Sequence, residues 1–226
     1  MSDILYNDLI RFYHPDLFRY DCCGGVISIY EQESNATVRM VEMCYHGKLL
    51  IIKNDLLKAC HKIYKNNESN SPELMHDCDG IFFLTNREQK YFVLIELKSK
   101  YTSDNLVKAE RQLAASYIRV LSRLSCLTDF DPYKYKACGI IVSHEPSTAE
   151  LSKVIKKRQT KQTLDRYENQ MMAFCKGDFF NLNHLFVRIH ELPVRQDLLF
   201  DVLPVFHINC PGTSVKFELD SVLKKL

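Results

Sequence analysis

The stretch HDCDGIFFLTNREQKYFVLIELKSK, residues 76–100, decides how the rest of the chain is read. It holds two apolar runs, IFFL at 81–84 and YFVLI at 91–95, separated by the polar TNREQK. Two strand-forming runs joined by a short polar segment predict a β-hairpin. Asp79 opens the first run and Glu96 closes the second, and a hairpin between them returns the chain to its starting edge. Lys98 follows Glu96 by two positions, so on a strand both side chains point to one face. Two carboxylates and an amine are thereby expected at one end of the hairpin. On its own, Glu-x-Lys after a strand is weak, because strands commonly end in charged residues as they reach solvent.

Working outward, residues 103–124 place Leu106, Ala109, Leu113, Tyr117, Val120, Leu121 and Leu124 at intervals of three and four behind a capping candidate, Ser103, and predict a long helix. YKACGIIVSHE then has the length and apolar content of a strand, ending in Ser143 and His144. Upstream, NNESNSPE at 66–73 reads as a loop, preceded by a helix over 54–66 with Asn54 as its cap. Residues 3–13 have helical spacing that Pro15 ends, and strands at about 26–31 and 37–45 flank EQESNA as a first hairpin. Beyond the central region, residues 148–175 predict a second long helix stopped near Gly177, and 184–190, 198–208 and 214–219 each suit a strand, interrupted by Pro193, Pro204 and Pro211. With no internal repeat and no linker, residues 1–226 read as one domain.

A net charge of +2 advertises no polyanion partner, so a nucleic-acid surface has to be a local patch. The nine cysteines are odd in number and irregularly spaced, and the N-terminal residues are polar and acidic rather than signal-like. A reducing cytoplasm is the compartment this implies. No apolar run approaches the ~18–20 residues that span a bilayer, so the expectation is a soluble protein without a membrane partner.

The order acid, strand, turn, strand, Glu-x-Lys, helix, strand resembles the PD-(D/E)xK nuclease superfamily. The resemblance covers about residues 54–143. It implies an α/β (α+β), restriction-endonuclease-like αβββαβ core, a central mixed sheet flanked by helices, with residues 1–53 and 148–226 as elaborations. It makes Asp79 the first acid, Glu96 and Lys98 the Glu-x-Lys pair, and Gln112 with Tyr117 the Gln-x-x-x-Tyr of the following helix. Two departures stand out: Cys78, not proline, precedes Asp79, and QLAASY puts one extra residue between Gln112 and Tyr117.

What the resemblance implies is phosphodiester hydrolysis with Mg²⁺ (or Mn²⁺) held by Asp79, Glu96 and the backbone carbonyl of Leu97. Lys98 would orient the attacking water or stabilise the phosphate, and Gln112 would reach the water or the nucleic-acid backbone. A further acid is sought among Glu42, Glu68 and Glu73, and Asp77 either shares the metal or faces the same loop. The substrate would be DNA, with RNA as the variant, and a homodimer would follow from the need to cut two strands.

Other readings compete. Residues 153–166 hold Lys156, Lys157, Arg158 and Lys161 and suit a phosphate backbone, although such a run is more often a solvated helix face. DCDG at 77–80 resembles the Asp-x-Asp loop of haloacid-dehalogenase-like phosphohydrolases, with Asp77 as nucleophile and Asp79 as acid/base, but that family needs a strand leading into the first Asp. Cys22-Cys23, Cys60-His61 and His76-x-Cys78 lack the spacing of a strong zinc site and read as free thiols. His144 reads as a rim residue. From another class, a nuclease-fold module that has lost catalysis and binds nucleic acid or protein remains the rival.

Overall fold

In the computed structural model, which describes residues 4–31, 33–58, 74, 76–187 and 194–226, the chain begins with α1 (Ile4–Phe12), β1 (Phe18–Asp21), β2 (Gly25–Tyr30), β3 (Met40–Tyr45), β4 (Lys48–Ile52) and α2 (Asp55–Lys58). The central hairpin is β5 (Gly80–Asn86) and β6 (Gln89–Lys98), followed by α3 (Ser103–Leu124) and β7 (Lys136–Ser143). The last third supplies α4 (Thr148–Gln159), α5 (Arg166–Cys175), β8 (Phe180–Asn183), β9 (Val202–Asn209), β10 (Ser214–Glu218) and α6 (Leu219–Leu223).

Seven strands form one mixed sheet in the order β1-β4-β5-β6-β7-β9-β8. β4, β5 and β6 are antiparallel neighbours, while β7 lies parallel to β6 and β9 parallel to β7. A parallel neighbour requires a crossover, which α3 provides between β6 and β7. A second sheet, β10-β3-β2, pairs β3 antiparallel with β2 and parallel with β10.

The large sheet is covered on both faces, which is why β5, β6 and β7 read as nearly continuous apolar runs. Phe92 and Leu94 join one core with residues of α1 to α5; Val93, Ile95 and Leu97 join the other, with the small sheet and α6. Gly139 on β7 lets α3 approach closely, since a Cβ there would lie 2.8 Å from Leu113 Cδ1. The cap of α3 is Thr102, whose hydroxyl accepts the Asn105 N–H at 3.3 Å, rather than Ser103.

Several expected spans shift. The helix expected over 148–175 is two: Lys161 turns at φ +55°, and Asp165 with Glu168 forms a new capping box that starts α5. Within the strand expected over 184–190, residues 184–187 form a turn and the strand is β8, just upstream; 188–190 lie outside the described residues. The helix over 54–66 is described only as α2, and its remainder lies outside the described residues with the 66–73 loop. Among the described residues only β5 and β6 lie between α2 and α3, and the third antiparallel strand, β4, precedes residue 54. No helix among the described residues is long and apolar enough to cross a membrane.

Candidate active site

The last cross-strand pair of the hairpin joins Gly80 to Ile95, so Asp79 and Glu96 are the next residues of the two strands. There the backbone ladder stops, and Asp79 Oδ2 accepts the Leu97 N–H at 2.7 Å. A short carboxylate at a strand start thus satisfies a donor that the ladder leaves open. By alternation, Glu96 and Lys98 continue the parity of Phe92 and Leu94, and Asp79 that of Ile81 and Phe83, all on the face that α3 covers.

Lys98 Nζ donates to Glu96 Oε1 and, at 2.7 Å, to Gln112 Oε1; Gln112 Nε2 donates to the Asp77 carbonyl at 3.1 Å. Asp79, Glu96, Lys98 and Gln112 are therefore gathered at one end of the hairpin. Glu96 is only 1% exposed, and its Oε2 has no hydrogen-bond partner. Burial pushes the Glu96 carboxyl well above the usual range, with Asp79 adding to the effect and Lys98 opposing it. Burial also raises Asp79 to about 7, against the pull of the Leu97 N–H. As a dianion the pair is costly, and either a proton or a cation relieves it.

An all-oxygen donor set beside a buried, unpaired carboxylate oxygen fits a hard divalent cation. Two carboxylates are the whole side-chain contribution: among the described residues no group of three His, Cys, Asp or Glu side chains is gathered to hold a metal. Asp79 also lines a cleft of about 310 Å³ shared with Ile29, Tyr30, Lys53, Asn54 and Lys58.

Other candidates lie elsewhere. The Asp77 carboxylate is ion-paired to Arg119, the two side chains being 6% and 1% exposed, and Arg119 also donates to the Leu57 carbonyl at 2.5 Å. So engaged, Asp77 is a clamp between a loop and α3, which leaves it unsuited to act as nucleophile or metal ligand. Tyr117 packs its ring 5.5 Å from Phe92 and 5.1 Å from Phe200, and burial raises its hydroxyl to about 12. At 3.6 residues per turn it lies ~140° round the helix from Gln112, whereas Ser116 lies ~40° away. Ser116 Oγ accepts the Cys78 N–H at 2.9 Å, next to Asp79. The departure in spacing thus puts Ser116 beside the chain at Asp79, while Tyr117 packs farther along the hairpin on Phe92.

Glu42 sits on β3, across from Ser28 and Lys216 in the small sheet, and Glu68 and Glu73 lie outside the described residues. The acid whose charge acts on both Asp79 and Glu96 is Glu31, just past β2. Its segment is strapped to the site: Thr37 N–H donates to Ser99 Oγ and the Thr37 hydroxyl to the Ser99 carbonyl, both at 2.9 Å. Thr37 Oγ1 also lies 3.0 Å from His144 Nε2, while His144 Nδ1 donates to the Cys210 carbonyl at 2.6 Å. His144 therefore anchors this strap. Sequence spacing carries no signal for contacts that join residues 37, 99 and 144.

Lys156 and Arg158 are exposed in the last turn of α4 and Lys161 just beyond it, while Lys157 is ion-paired with Glu168. Cys22 and Cys23 have sulfurs 3.3 Å apart, Cys78 is buried, and Cys60-His61 lies outside the described residues. Against known proteins, the chain matches no family model, no curated protein and no solved structure.

Proposed function

We propose that the chain is a Mg²⁺- or Mn²⁺-dependent nuclease of PD-(D/E)xK type that hydrolyses DNA phosphodiester bonds. The observation that carries this reading is the Lys98 ammonium held between Glu96 and Gln112, on the same hairpin end as Asp79. The succession β4, β5, β6, α3, β7, antiparallel and then parallel, supports it, being the strand order the resemblance implies with its first strand moved upstream.

Asp79, Glu96 and the Leu97 carbonyl would hold the cation. An extended residue sends its N–H and C=O to the same side, and the Leu97 N–H meets Asp79. When bound, the cation supplies the positive charge that the phosphate oxygens need as the ester is hydrolysed. Lys98 has three N–H donors; two are used by Glu96 and Gln112, which leaves one for the attacking water or a phosphate oxygen. Gln112 cannot flip its amide without losing both the Lys98 and the Asp77 contact, so it fixes the direction of that remaining donor. Exposed Lys156, Arg158 and Lys161 would contact the DNA backbone, with Lys157 contributing less because Glu168 neutralises it.

The gathering of only two carboxylates favours a second reading, a catalytically silent nuclease-fold module that binds nucleic acid or protein. Mn²⁺ titration followed by electron paramagnetic resonance separates the two. The nuclease reading expects saturable binding that Asp79→Asn and Glu96→Gln abolish at unchanged fold. A wild-type protein that binds no Mn²⁺ contradicts it and leaves the module.

A further inference from the structure

At the far end of the same hairpin lies a second polar cleft, of about 810 Å³, that the nuclease reading does not use. The β5–β6 pairing runs through seven residue pairs, from Gly80 to Asn86, which at ~3.4 Å per residue puts this cleft ~20 Å from Asp79. Three parts of the chain meet there: the β3–β4 connection with His46, the β5–β6 turn with Arg87, and α6 with Asp220, followed by its C-cap Lys224.

The histidine is held in a fixed orientation. His46 Nδ1 lies 2.5 Å from Asp220 Oδ2, and Asp220 Oδ1 accepts from Asn86 Nδ2 at 3.0 Å. A carboxylate partner puts a proton on Nδ1 and fixes the ring where it lines the cleft. Holding a side chain that is 74% exposed in this way is unusual for a residue that only covers surface. The Asn86 contact and the His46 contact together also take up the Asp220 charge.

The turn is the second, independent observation. Two residues join β5 to β6, and the first, Arg87, has φ +56°. Such a position favours glycine or asparagine, and a long side chain there is disfavoured. Strain retained at a cleft points to a use for the side chain that causes it. Arg87 brings a planar guanidinium and Lys224 a second cation to the same cleft, and Tyr91 and Leu223 give it an apolar wall. Glu88, next to Arg87, is the opposing charge at the rim.

We infer that this cleft binds the phosphate group of a nucleotide-sized ligand, with Arg87 and Lys224 as donors, the His46 ring beside them, and Tyr91 with Leu223 against the apolar part. The volume lies within the ~300–1,000 Å³ of small-molecule sites. The inference is independent of the nuclease reading, since none of these residues belongs to the Asp79–Glu96 site.

The test is a titration of the full chain with adenosine monophosphate, inorganic phosphate and adenosine, read from the His46 ring signals by NMR and assigned with His46→Gln. Expected are saturable shifts with the monophosphate, weaker binding of phosphate, and none with adenosine. Arg87→Gly should weaken monophosphate binding about tenfold or more, the size of a lost charge-assisted contact, while the melting temperature holds or rises because glycine suits the turn. Glu88→Gln should tighten binding. No His46 shift with either anion, or an Arg87→Gly protein that binds as well as wild type, overturns the site. Equal affinity for phosphate and monophosphate overturns the nucleotide-sized ligand.

Discussion

Lys98 and Gln112 are joined by a 2.7 Å hydrogen bond that ties the end of β6 to α3. Fourteen residues separate them, and α3, which connects β6 to β7, packs so closely that a Cβ at Gly139 would lie 2.8 Å from Leu113 Cδ1. Gln112→Leu removes the acceptor for Lys98 and the donor to the Asp77 carbonyl together. On the nuclease reading, losing the orientation of a catalytic group costs ~10²-fold, so DNA cleavage should fall by about that much. A thermal melt close to wild type would separate this from unfolding.

Asp77 and Asp79 are two residues apart and should respond oppositely. Asp77→Ala leaves Arg119 buried without its ion-pair partner, and breaking such a pair costs about 3–5 kcal/mol. Asp79→Asn removes a carboxyl that burial disfavours as an anion, so the metal-free protein should hold or gain stability near neutral pH. Urea unfolding of both variants in EDTA checks the contrast.

The raised pKa of Asp79 gives a pH dependence of definite sign. A carboxyl at about 7 in the folded chain and 3.8 in the unfolded one binds its proton more tightly when folded. Its contribution to stability is therefore full below about pH 4 and is lost as the pH rises through about 7. His207, lowered to about 4 by burial, has the opposite slope between about 6.5 and 4, so the effect is read as the difference between wild type and Asp79→Asn. Mn²⁺ should raise the melting temperature more at pH 8 than at pH 5, because at pH 5 it has to displace a proton.

Ser116 and Tyr117 separate the site from the core. Ser116→Ala strands the buried Cys78 N–H beside Asp79, at a cost of about 1–3 kcal/mol, and should also slow cleavage. Tyr117→Phe keeps the packing on Phe92 and Phe200, so it should change stability by less than ~0.5 kcal/mol and leave cleavage as it was. Parallel cleavage assays and urea melts on the two variants decide between them.

The hairpin, α3 and β7 were legible because each is a long apolar pattern bounded by polar residues, and the parity of Glu96 and Lys98 followed from strand geometry alone. The features without a local signal depend on contacts between distant residues. Arg119 claims Asp77 from 42 positions away, which no local pattern signals. Glu31 reaches the site from the other sheet through a strap pinned by Thr37 to Ser99 and His144. The break at Lys161 carries no glycine or proline to announce it, although Asp165 and Glu168 spell a capping box that marks the new start. β1 and β4 are short strands whose identity depends on their antiparallel partners more than on their own residues.

The most direct test of the nuclease reading is the rate at which the wild-type chain and Lys98→Ala convert supercoiled plasmid in Mg²⁺, with matched melting temperatures. Wild type is expected to nick or linearise the plasmid in Mg²⁺ and not in EDTA, and Lys98→Ala to be slower by ~10²-fold or more. Equal rates for the two proteins, or no cleavage by wild type in Mg²⁺ or Mn²⁺, would contradict it.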